Sequence, residues 1–369
     1  MKELSNKKNK DSISYLLKEA TQQPLVATVI LNYNGEAYLS QFLPTVLRDS
    51  YPNQEVIVAD NKSTDTSIPF LQKQYLDTVK LLVLNENYGF AKGYNEALKQ
   101  VEASYYILLN SDVEVTPNWI APIIELMEKD PNIAACQPKV LAYHDKSIFE
   151  YAGAAGGWMD NLGYPFCRGR IMEKVEKDDG QYDTTEEVFW ATGAALVIRG
   201  PLYHAIGGLD GDYFAHMEEI DLCWRLKRAG YKIMVEPKSV VYHVGGGTLN
   251  YQSPRKTYLN FRNSLATIFK NEPTSKLLWL IPTRLILDGV AGGVFLLKGQ
   301  FSNIWAIIRA HLSFYANFGK LLKKRRAYTA LIEKNRIGIP TVSGRFTKSI
   351  IWQFYIRGKK TFKELIKNK

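Results

Sequence analysis

Three short stretches of the 369-residue sequence carry side chains suited to chemistry. LLNSDVEV ends an apolar run with Asp112, and a carboxylate there suits a hard divalent cation that also binds substrate phosphates. HMEEIDLCWR packs Glu218, Glu219 and Asp221 into four positions, where like charges raise each other's pKa as a general base requires. VVYHVGGG offers His243 as a metal ligand. Singly, each has an ordinary alternative: a polar surface turn, an acidic helix N-terminus and a structural histidine.

The elements that must position these residues form an alternating pattern of strands and helices. Short apolar runs alternate with stretches that have helical spacing of apolar residues, which predicts a parallel α/β sheet with crossover helices. The predicted strands lie at 25–33, 55–60, 80–87 and 105–112. Ligands of such sheets bind beyond the carboxyl ends of the strands, and polar residues cluster at those ends here.

The second half of the chain changes character. Residues 189–200 predict a strand after a tight turn, and residues 217–230 predict a helix that ends at a glycine. Beyond residue 254 the sequence is helical, with an apolar window at 277–297 that Pro282, Arg284 and Asp288 interrupt. A central charge costs a spanning helix about 2.5–3.5 kcal/mol on insertion scales. We therefore expect helices that lie at a membrane interface.

The charge distribution divides the chain in the same place. Residues 1–253 carry a net charge of −9 and residues 254–369 carry +19. A basic, aromatic-rich segment suits anionic lipid or nucleic acid, and its apolar windows favour lipid. Three scattered cysteines and a polar N-terminus predict a reducing compartment and no secretory signal.

Two glycine-rich motifs are missing from the sequence. No GxGxxG follows the first predicted strand and no GxxxxGK[ST] is present, which disfavours a dinucleotide-binding domain and a P-loop protein. A nucleotidyltransferase is disfavoured because it would show a glycine-rich nucleotide loop near the first strand. A non-catalytic, membrane-bound binding protein is disfavoured because the acidic pair and the NSD sequence are both present.

Seven motifs in order resemble those of family 2 inverting glycosyltransferases of the GT-A fold, close to the bacterial rhamnosyltransferase-like branch. They are VILNYNGEAYL, EVIVADNKSTDTS, NENYGFAKGYNEAL, LLNSDVEVTPNW, ATGAALVIR, YFAHMEEIDLCWRLKRAGY and the histidine of VVYHVGG. The resemblance implies an α/β GT-A domain at 25–263, after a tail at 1–24. Residues 264–369 would then form a basic, amphipathic helical extension that associates with a membrane.

The resemblance also implies a donor site along the strand ends. The end of the first strand would cradle the nucleobase, Asp60 would bind the base or ribose, and Lys92 would meet a phosphate. The implied donor-binding residues are Asn32, Tyr33, Asn34, Asp60, Asn61, Phe90, Lys92, Asn95, Asn110, Ser111 and Asp112.

The family's DxD-like metal motif corresponds to NSD here, with Asn110 in place of the first aspartate. The resemblance implies that Asp112 and the late His243 bind Mg²⁺ or Mn²⁺. The ion would act as a Lewis acid on the leaving nucleoside diphosphate.

The family's catalytic base belongs to an acidic pair, usually Glu-Asp, and the pair here is Glu218-Glu219. The resemblance implies that Glu219 is the base of a single displacement with inversion, that Glu218 bonds substrate hydroxyls, and that Asp221 orients the helix or an arginine. A glutamate in the second position departs from the family pattern and extends the reach by roughly 1.5 Å.

The remaining implications concern the acceptor and the location of the enzyme. The resemblance implies four acceptor-binding residues, Trp190, Thr192, Gly193 and Arg262. Trp190 is expected to stack on a sugar, Thr192 and Gly193 to form a turn that approaches the donor sugar, and Arg262 to contact the acceptor or a diphosphate. The leading donor is dTDP-L-rhamnose, with UDP- and GDP-sugars left open. The acceptor is expected to be a lipid-linked or cell-surface glycan, and the enzyme to attach peripherally to the cytoplasmic face of the inner membrane, without nucleic acid as a partner.

Overall fold

The computed structural model describes residues 23–245 and 253–367. The predicted tail at 1–24 lies almost wholly outside the described residues, as do the last two glycines of VVYHVGGG. The strands are β1 (Val26–Asn32), β2 (Gln54–Asp60), β3 (Lys80–Val83), β4 (Tyr105–Asn110), β5 (Val113–Val115), β6 (Ile133–Ala142), β7 (Gly157–Asp160), β8 (Pro165–Cys167), β9 (Arg170–Ile171), β10 (Lys174–Val175), β11 (Glu186–Val188), β12 (Ala195–Arg199), β13 (Lys232–His243) and β14 (Arg345–Phe346).

Helices connect these strands and form most of the last third of the described chain. They are α1 (Glu36–Val46), α2 (Ser67–Gln74), α3 (Gly89–Leu98), α4 (Ile120–Lys129), α5 (Gly200–Ala205), α6 (Glu218–Arg228), α7 (Pro254–Asn271), α8 (Thr274–Leu297), α9 (Phe301–Ala316), α10 (Phe318–Lys334) and α11 (Phe362–Ile366). A 3₁₀ turn spans Gly211–Tyr213 and a π-helical turn spans Trp352–Ile356.

The main sheet has the order β11-β13-β6-β12-β4-β1-β2-β3, with β5 paired to β13. The strands β4, β1, β2 and β3 are parallel, as the alternating sequence predicts. Along β1, Ala27 and Val29 belong to one apolar cluster, and Val26 and Ile30 to the cluster on the opposite face. Helices cover both faces, so β1 needs a nearly continuous apolar run.

The register of these strands brings the predicted polar residues together. Asn32 lies opposite Asp60, and Leu31 lies opposite Asn110. The carboxyl ends of β1, β2 and β4 therefore meet at one edge of the sheet. The β12 strand joins β4 in the antiparallel direction, which makes the sheet mixed.

A second, smaller sheet has the order β10-β9-β8-β7-β14. Its strand β14 comes from the C-terminal part of the chain and pairs with β7 in parallel. Phe362 of α11 packs edge-on against Trp158 of β7, with ring centroids 5.0 Å apart. The segment from 345 to 366 is therefore part of the globular body.

The predicted domain boundary after residue 263 falls inside the helix α7. Lys270 of α7 is buried and forms ion pairs with Asp210 (2.6 Å) and with Asp221 of α6 (3.0 Å). Residues 264–369 are thus not a separate appendage, because the helix and these buried pairs connect them to the α/β domain. Sequence periodicity cannot reveal such long-range pairs.

The helix α8 has its polar and apolar sides reversed relative to an ordinary surface helix. Arg284 and Asp288 are 2% and 1% exposed, whereas Ile286 and Val290 are 69% and 61% exposed. Arg284 stacks on the Tyr164 ring (3.8 Å) and donates to Leu162 O (3.0 Å). The two charges that the sequence analysis counted against a membrane-spanning helix are therefore buried in the protein.

Candidate active site

Two buried polar residues at the strand ends fix the first two loops of the site. Asn32 Nδ2 donates to Asp60 Oδ2 (3.0 Å) and to Ser63 Oγ (3.2 Å). Asp60 Oδ1 accepts from the Ser63 amide (2.8 Å). Both Asn32 and Asp60 are fully buried, and Tyr33 beside them is 44% exposed. The buried pair thus holds the frame from which Tyr33 projects.

Asn34 links the loops after β1 and β2. Its backbone is left-handed (φ 51°), a conformation that asparagine tolerates better than most residues. Its amide N donates to Ser63 Oγ (2.9 Å), and its side-chain Oδ1 accepts from the Thr64 amide (2.7 Å). These hydrogen bonds join the loops after β1 and β2 into one segment at the edge of the site.

Asn61 positions the start of the helix α3. Its Oδ1 accepts from the Tyr88 amide (3.0 Å) and its Nδ2 donates to Gly89 O (3.1 Å). Gly89 is left-handed (φ 72°), and a Cβ there would lie 2.5 Å from the Phe214 ring, so only glycine fits. The Phe90 amide donates to Phe214 O (2.7 Å), which joins α3 to the segment before the acidic pair.

Lys92 and Asn95 of α3 differ in availability. Lys92 is exposed and lies 3.5 Å from Glu86 Oε1 and 4.1 Å from the Tyr88 ring centroid, contacts that are weak in water. Asn95 donates to Leu209 O (2.8 Å) and accepts from the Tyr203 hydroxyl (2.6 Å). Lys92 can therefore reach a phosphate, whereas the Asn95 amide is committed to positioning residues 203–209.

Asp112 and His243, far apart in sequence, are adjacent in the structure. The antiparallel pairing of β5 with β13 places His243 opposite Val113, and the Val244 amide donates to Asp112 O (3.1 Å). Asp112 Oδ1 then lies 3.2 Å from His243 Nε2. Asn110 Nδ2 lies 3.5 Å from the same nitrogen. Ser111 follows at the rim, where its Oγ would lie 3.5 Å from a Cβ on Gly35.

Glu150 is a member of this group that sequence reasoning missed. It is 4% exposed, and its Oε1 lies 3.5 Å from His243 Nδ1. Burial acts to lower the pKa of His243, but hydrogen bonding and charge from Asp112 and Glu150 outweigh it and raise that pKa to about 10. The pocket between the two carboxylates thus favours positive charge. No local signal in FEYAGAAGG marks Glu150, because its role depends on a contact across 93 residues.

Asp112 and His243 can hold one divalent cation. Neighbouring ligands of an octahedral ion with bonds of about 2.1 Å lie about 3 Å apart, and the two ligand atoms here are 3.2 Å apart. Among residues 23–245 and 253–367 no cluster of three or more His, Cys, Asp or Glu suits a metal. Two protein ligands nonetheless fit Mg²⁺ or Mn²⁺, because such ions often complete their coordination with substrate phosphates and water.

The acidic pair follows a turn with unusual backbone geometry. Phe214, His216 and Met217 are left-handed, with φ of 62°, 71° and 74°. Asn263 of α7 holds this turn, because its Nδ2 donates to the carbonyls of Tyr213 (3.1 Å), Ala215 (2.9 Å) and His216 (2.8 Å). Such strained backbone concentrates at functional sites. Asn263 is a second site residue that the sequence analysis did not assign.

Glu218 and Glu219 begin α6 with unpaired carboxylate oxygens. Oε2 of each residue is buried and has no hydrogen-bond partner among the described residues. Burial raises the pKa of Glu219 to about 7, although backbone hydrogen bonds act to lower it. Burial and the charge of Glu219 raise the pKa of Glu218 well above its ordinary value. The structure also confirms that Asp221 orients an arginine, since its Oδ2 lies 2.9 Å from Arg225 Nε.

The predicted acceptor residues do not all face a cleft. A Cβ on Gly193 would lie 3.5 Å from Phe90 Cζ and 3.8 Å from Glu219 Cβ, so Gly193 lies beside the acidic pair. Thr192 is buried and its Oγ1 donates to Ala152 O (2.6 Å).

The expectation that Trp190 stacks on a sugar is corrected by its burial. Only 3% of Trp190 is exposed, and its Nε1 donates to Trp158 O (2.9 Å). A Cβ on Gly157 would lie 2.1 Å from the indole, which is therefore covered by that glycine's backbone. Trp190 is a core residue because the second sheet lies against it.

Arg262 contributes to the turn before the acidic pair. Its NH2 group donates to Asp212 O and Tyr213 O, both at 3.0 Å, and its Nε donates to Asn263 Oδ1 (2.8 Å). Part of its guanidinium thus supports the backbone near Glu218.

Comparison with known proteins identifies the family of this arrangement. Residues 28–188 match the family model described as Glycosyl transferase family 2. This part of the chain is a family 2 glycosyltransferase domain. The matched segment runs from within β1 to the end of β11 and includes Asp60 and Asp112.

Relatives of this family 2 glycosyltransferase include two rhamnosyltransferases. The N-acetylglucosaminyl-diphospho-decaprenol L-rhamnosyltransferase of Mycobacterium tuberculosis is 26% identical over 235 residues, which cover 59% of this chain and 76% of the relative. The rhamnosyltransferase WbbL of Escherichia coli K12 is 26% identical over 228 residues, which cover 59% and 83%. The enzyme is therefore rhamnosyltransferase-like in sequence.

The fold of this glycosyltransferase is similar to a crystal structure of GalNAc-T7 with UDP, GalNAc and Mn²⁺. The TM-score is 0.53 at 17% identity, and the match covers 67% of this chain and 48% of that one. At this identity the likeness concerns the fold alone. It confirms the predicted GT-A-like α/β glycosyltransferase fold.

Proposed function

We propose that this glycosyltransferase moves a sugar from a metal-bound nucleotide-sugar to a lipid-linked or cell-surface glycan, with inversion at the anomeric carbon. The leading donor is dTDP-L-rhamnose, and UDP- or GDP-sugars are the alternative. The observation that carries the proposal is the buried Oε2 of Glu219, which has no hydrogen-bond partner among the described residues, and burial raises the pKa of this carboxyl to about 7. A base with that pKa is half ionised near neutral pH and can take a proton from an attacking hydroxyl.

The other residues of the site would each have a separate role in the proposed reaction. Glu218 would hydrogen-bond a substrate hydroxyl, and Gly193 leaves room beside the pair because it has no side chain. Asp112 and His243 would hold Mg²⁺ or Mn²⁺, with Glu150 behind the imidazole. A bound divalent ion would supply charge stabilisation to the leaving diphosphate. Lys92, exposed and weakly paired, would add a second positive charge to that diphosphate.

The names of two relatives support the proposed substrates. Both are rhamnosyltransferases, and one name specifies a glycan linked through diphosphate to a polyprenol. On this basis we propose a rhamnose donor and a lipid-linked acceptor for this chain. Both fit a role in cell-surface polysaccharide synthesis.

The reversed helix α8 supports peripheral attachment to a membrane, and we propose the cytoplasmic face of the inner membrane as the location of the enzyme. Among the described helices, Thr274–Leu297 is the one that is long and apolar enough to cross a membrane. Its buried charges and exposed apolar side favour a helix that lies against lipid on one face and against protein on the other. The α9 residues Phe301 and Trp305, 66% and 56% exposed, add further apolar surface.

A donor panel tests the proposed reaction. The full chain is incubated with dTDP-L-rhamnose, UDP-sugars or GDP-sugars, lipid-linked acceptors and Mg²⁺ or Mn²⁺, and nucleoside diphosphate release is measured. We expect release to be fastest with dTDP-L-rhamnose and to stop after stringent chelation. Activity that survives chelation would remove the metal role, and activity with other nucleotides alone would remove the rhamnose donor.

A further inference from the structure

A cavity of about 570 Å³ lies between α7 and α9 and is also lined by Phe214, which belongs to the turn before the acidic pair. Neither the proposed donor site nor Glu219 uses it. Its lining combines arginines with aromatic side chains, and no carboxylate contributes to it. The charged and aromatic residues of the lining are Arg255, Arg262, Arg309, Phe214, Tyr258 and Trp305.

The three arginines are held on aromatic rings but have no acidic partner among the described residues. Arg255 lies 4.7 Å from the Phe214 ring centroid, and Arg262 and Arg309 lie 5.3 Å and 5.1 Å from the Tyr258 ring centroid. The nearby carboxylate of Asp212 is paired with Lys320 (2.8 Å) and with Lys324. Like charges gathered in one cavity repel, so this arrangement favours a bound anion.

The chemistry of the side chains selects the kind of anion. A guanidinium presents planar pairs of donors that match phosphate oxygens, and stacking on a ring fixes its orientation in advance. The cavity volume exceeds that of one phosphate, and its aromatic walls suit an apolar group next to the charge. The lining thus fits a phosphate or diphosphate that carries an apolar substituent.

The cavity shares a wall with the turn that presents the acidic pair. Phe214 lines the cavity, and its carbonyl accepts from Phe90 of the donor site (2.7 Å). Arg262 lines the cavity and donates to the Tyr213 carbonyl (3.0 Å). A ligand held there would lie across Phe214 from the start of α3, next to the turn that precedes Glu219.

An apolar stripe on α9 leads away from the cavity. Trp305 lines the cavity and also belongs to the stripe, whose members recur at helical spacing on the adjoining face of α9. All five members of the stripe are 43–66% exposed: Phe301, Trp305, Ile308, Leu312 and Tyr315. A hydrocarbon chain attached to a phosphate in the cavity would cover this stripe.

We propose that the cavity binds the phosphate or diphosphate of the lipid-linked acceptor, with the lipid chain along the α9 stripe. The inference rests on the proposed function, because it assumes an acceptor of that class. It adds the site that would orient the acceptor sugar toward Glu219. Arg255 and Arg309 are the residues to test, because they have no hydrogen bonds to the protein among the described residues, whereas Arg262 supports the backbone.

Calorimetric titration of the full chain with farnesyl diphosphate, inorganic pyrophosphate, glycerol 3-phosphate and dTDP tests the site. We expect farnesyl diphosphate to bind most tightly of the three ligands other than dTDP. Arg255→Ala and Arg309→Ala should each weaken it about 10- to 100-fold, as expected for a lost charge-assisted hydrogen bond. Arg326→Ala is the matched control, because Arg326 is exposed on α10 and lies outside the cavity lining. Affinity for dTDP should stay unchanged in all three variants.

Other results would overturn the inference. Unchanged affinity for farnesyl diphosphate in both variants would remove the arginines from the site. If inorganic pyrophosphate or glycerol 3-phosphate bound as tightly as farnesyl diphosphate, the lipid chain would have no part in binding. If the arginine variants lost affinity for dTDP as well, the arginines would belong to the donor site. These titrations need no turnover, so a failed donor panel with intact farnesyl diphosphate binding would contradict the proposed donor and leave the cavity assignment standing.

Discussion

At the residue scale, the proposed chemistry depends most on the proton that Glu219 would accept from the attacking hydroxyl. Replacing it with glutamine keeps the size of the side chain and removes the base. We expect Glu219→Gln to lower kcat by about 10²- to 10⁴-fold and to leave the donor KM nearly unchanged. Initial rates of nucleoside diphosphate release measure both constants. Near-normal turnover in this variant would exclude Glu219 as the base.

The pH profile gives an independent check on the same residue. Because its pKa is raised to about 7, Glu219 is protonated and inactive as a base below that pH. We expect log kcat to rise with unit slope up to about pH 7 and then to level off. Glu219→Asp retains a carboxylate and should keep a pH-dependent rise at a lower rate. A flat profile between pH 5 and 8 in the unmodified enzyme would contradict the assignment.

Glu150 is expected to act on the metal through His243. A carboxylate behind a metal-binding histidine fixes the ring, and its loss typically costs 10- to 100-fold in metal affinity. Glu150→Gln should therefore weaken Mn²⁺ binding by about that factor, measured by calorimetry on the enzyme without donor. Glu55→Gln is the control, because Glu55 lies at the surface and its ion-pair partner among the described residues is Lys80 (3.4 Å). Equal Mn²⁺ affinity in Glu150→Gln and the unmodified enzyme would show that Glu150 serves the fold alone.

At the element scale, the helix α7 controls the geometry of the acidic pair at the start of α6. Asn263 binds three carbonyls of the left-handed turn. Asn263→Ala should cost about 1–3 kcal/mol of stability and should also lower kcat, because the turn can relax and displace Glu219. Thermal unfolding and initial rates measure the two effects.

A substitution at a second asparagine, Asn335, is the control that separates an effect on stability from an effect on the position of Glu219. Asn335 donates to Ala205 O (3.0 Å) and Leu331 O (2.9 Å), away from the acidic pair. Asn335→Ala should lower stability without lowering kcat at a temperature where both variants are folded. If the two variants lost kcat in equal proportion to stability, the proposed positioning role of Asn263 would fail.

At the scale of the whole molecule, the sequence predicts local and periodic features well. The runs that become β1, β2 and β4 are recognisable because both faces of each strand are buried, and the crossover pattern predicts that Asp60 and Asp112 lie at the carboxyl ends of parallel strands of one sheet. Pairing of distant segments is not encoded in any local pattern. The β14 strand in the second sheet, Glu150 behind His243 and Gly157 against Trp190 are all of that kind.

The charge asymmetry has a similar explanation. The basic last third suggests an external anionic partner, yet several of its cations neutralise carboxylates of the acidic part. Lys270 pairs with Asp210 and Asp221, and Lys320 pairs with Asp212. Net charge by segment therefore overstates the charge available to a membrane. The exposed apolar side of α8 is the more specific feature for lipid.

That feature leads to a prediction for the whole enzyme. Ile286→Asn and Val290→Asn together would remove apolar surface that contributes roughly 1.5–3 kcal/mol per side chain when buried in lipid. Both positions are exposed, so the fold should survive. We expect the double variant to lose most of its flotation with phosphatidylglycerol liposomes, whereas Leu76→Asn, at a 71% exposed leucine between α2 and β3, should float normally.

Alkaline carbonate should release the unmodified chain from the liposomes, because one side of α8 stays packed on protein. Retention after that wash would indicate that α8 spans the bilayer, and equal flotation of all variants would place the membrane contact elsewhere.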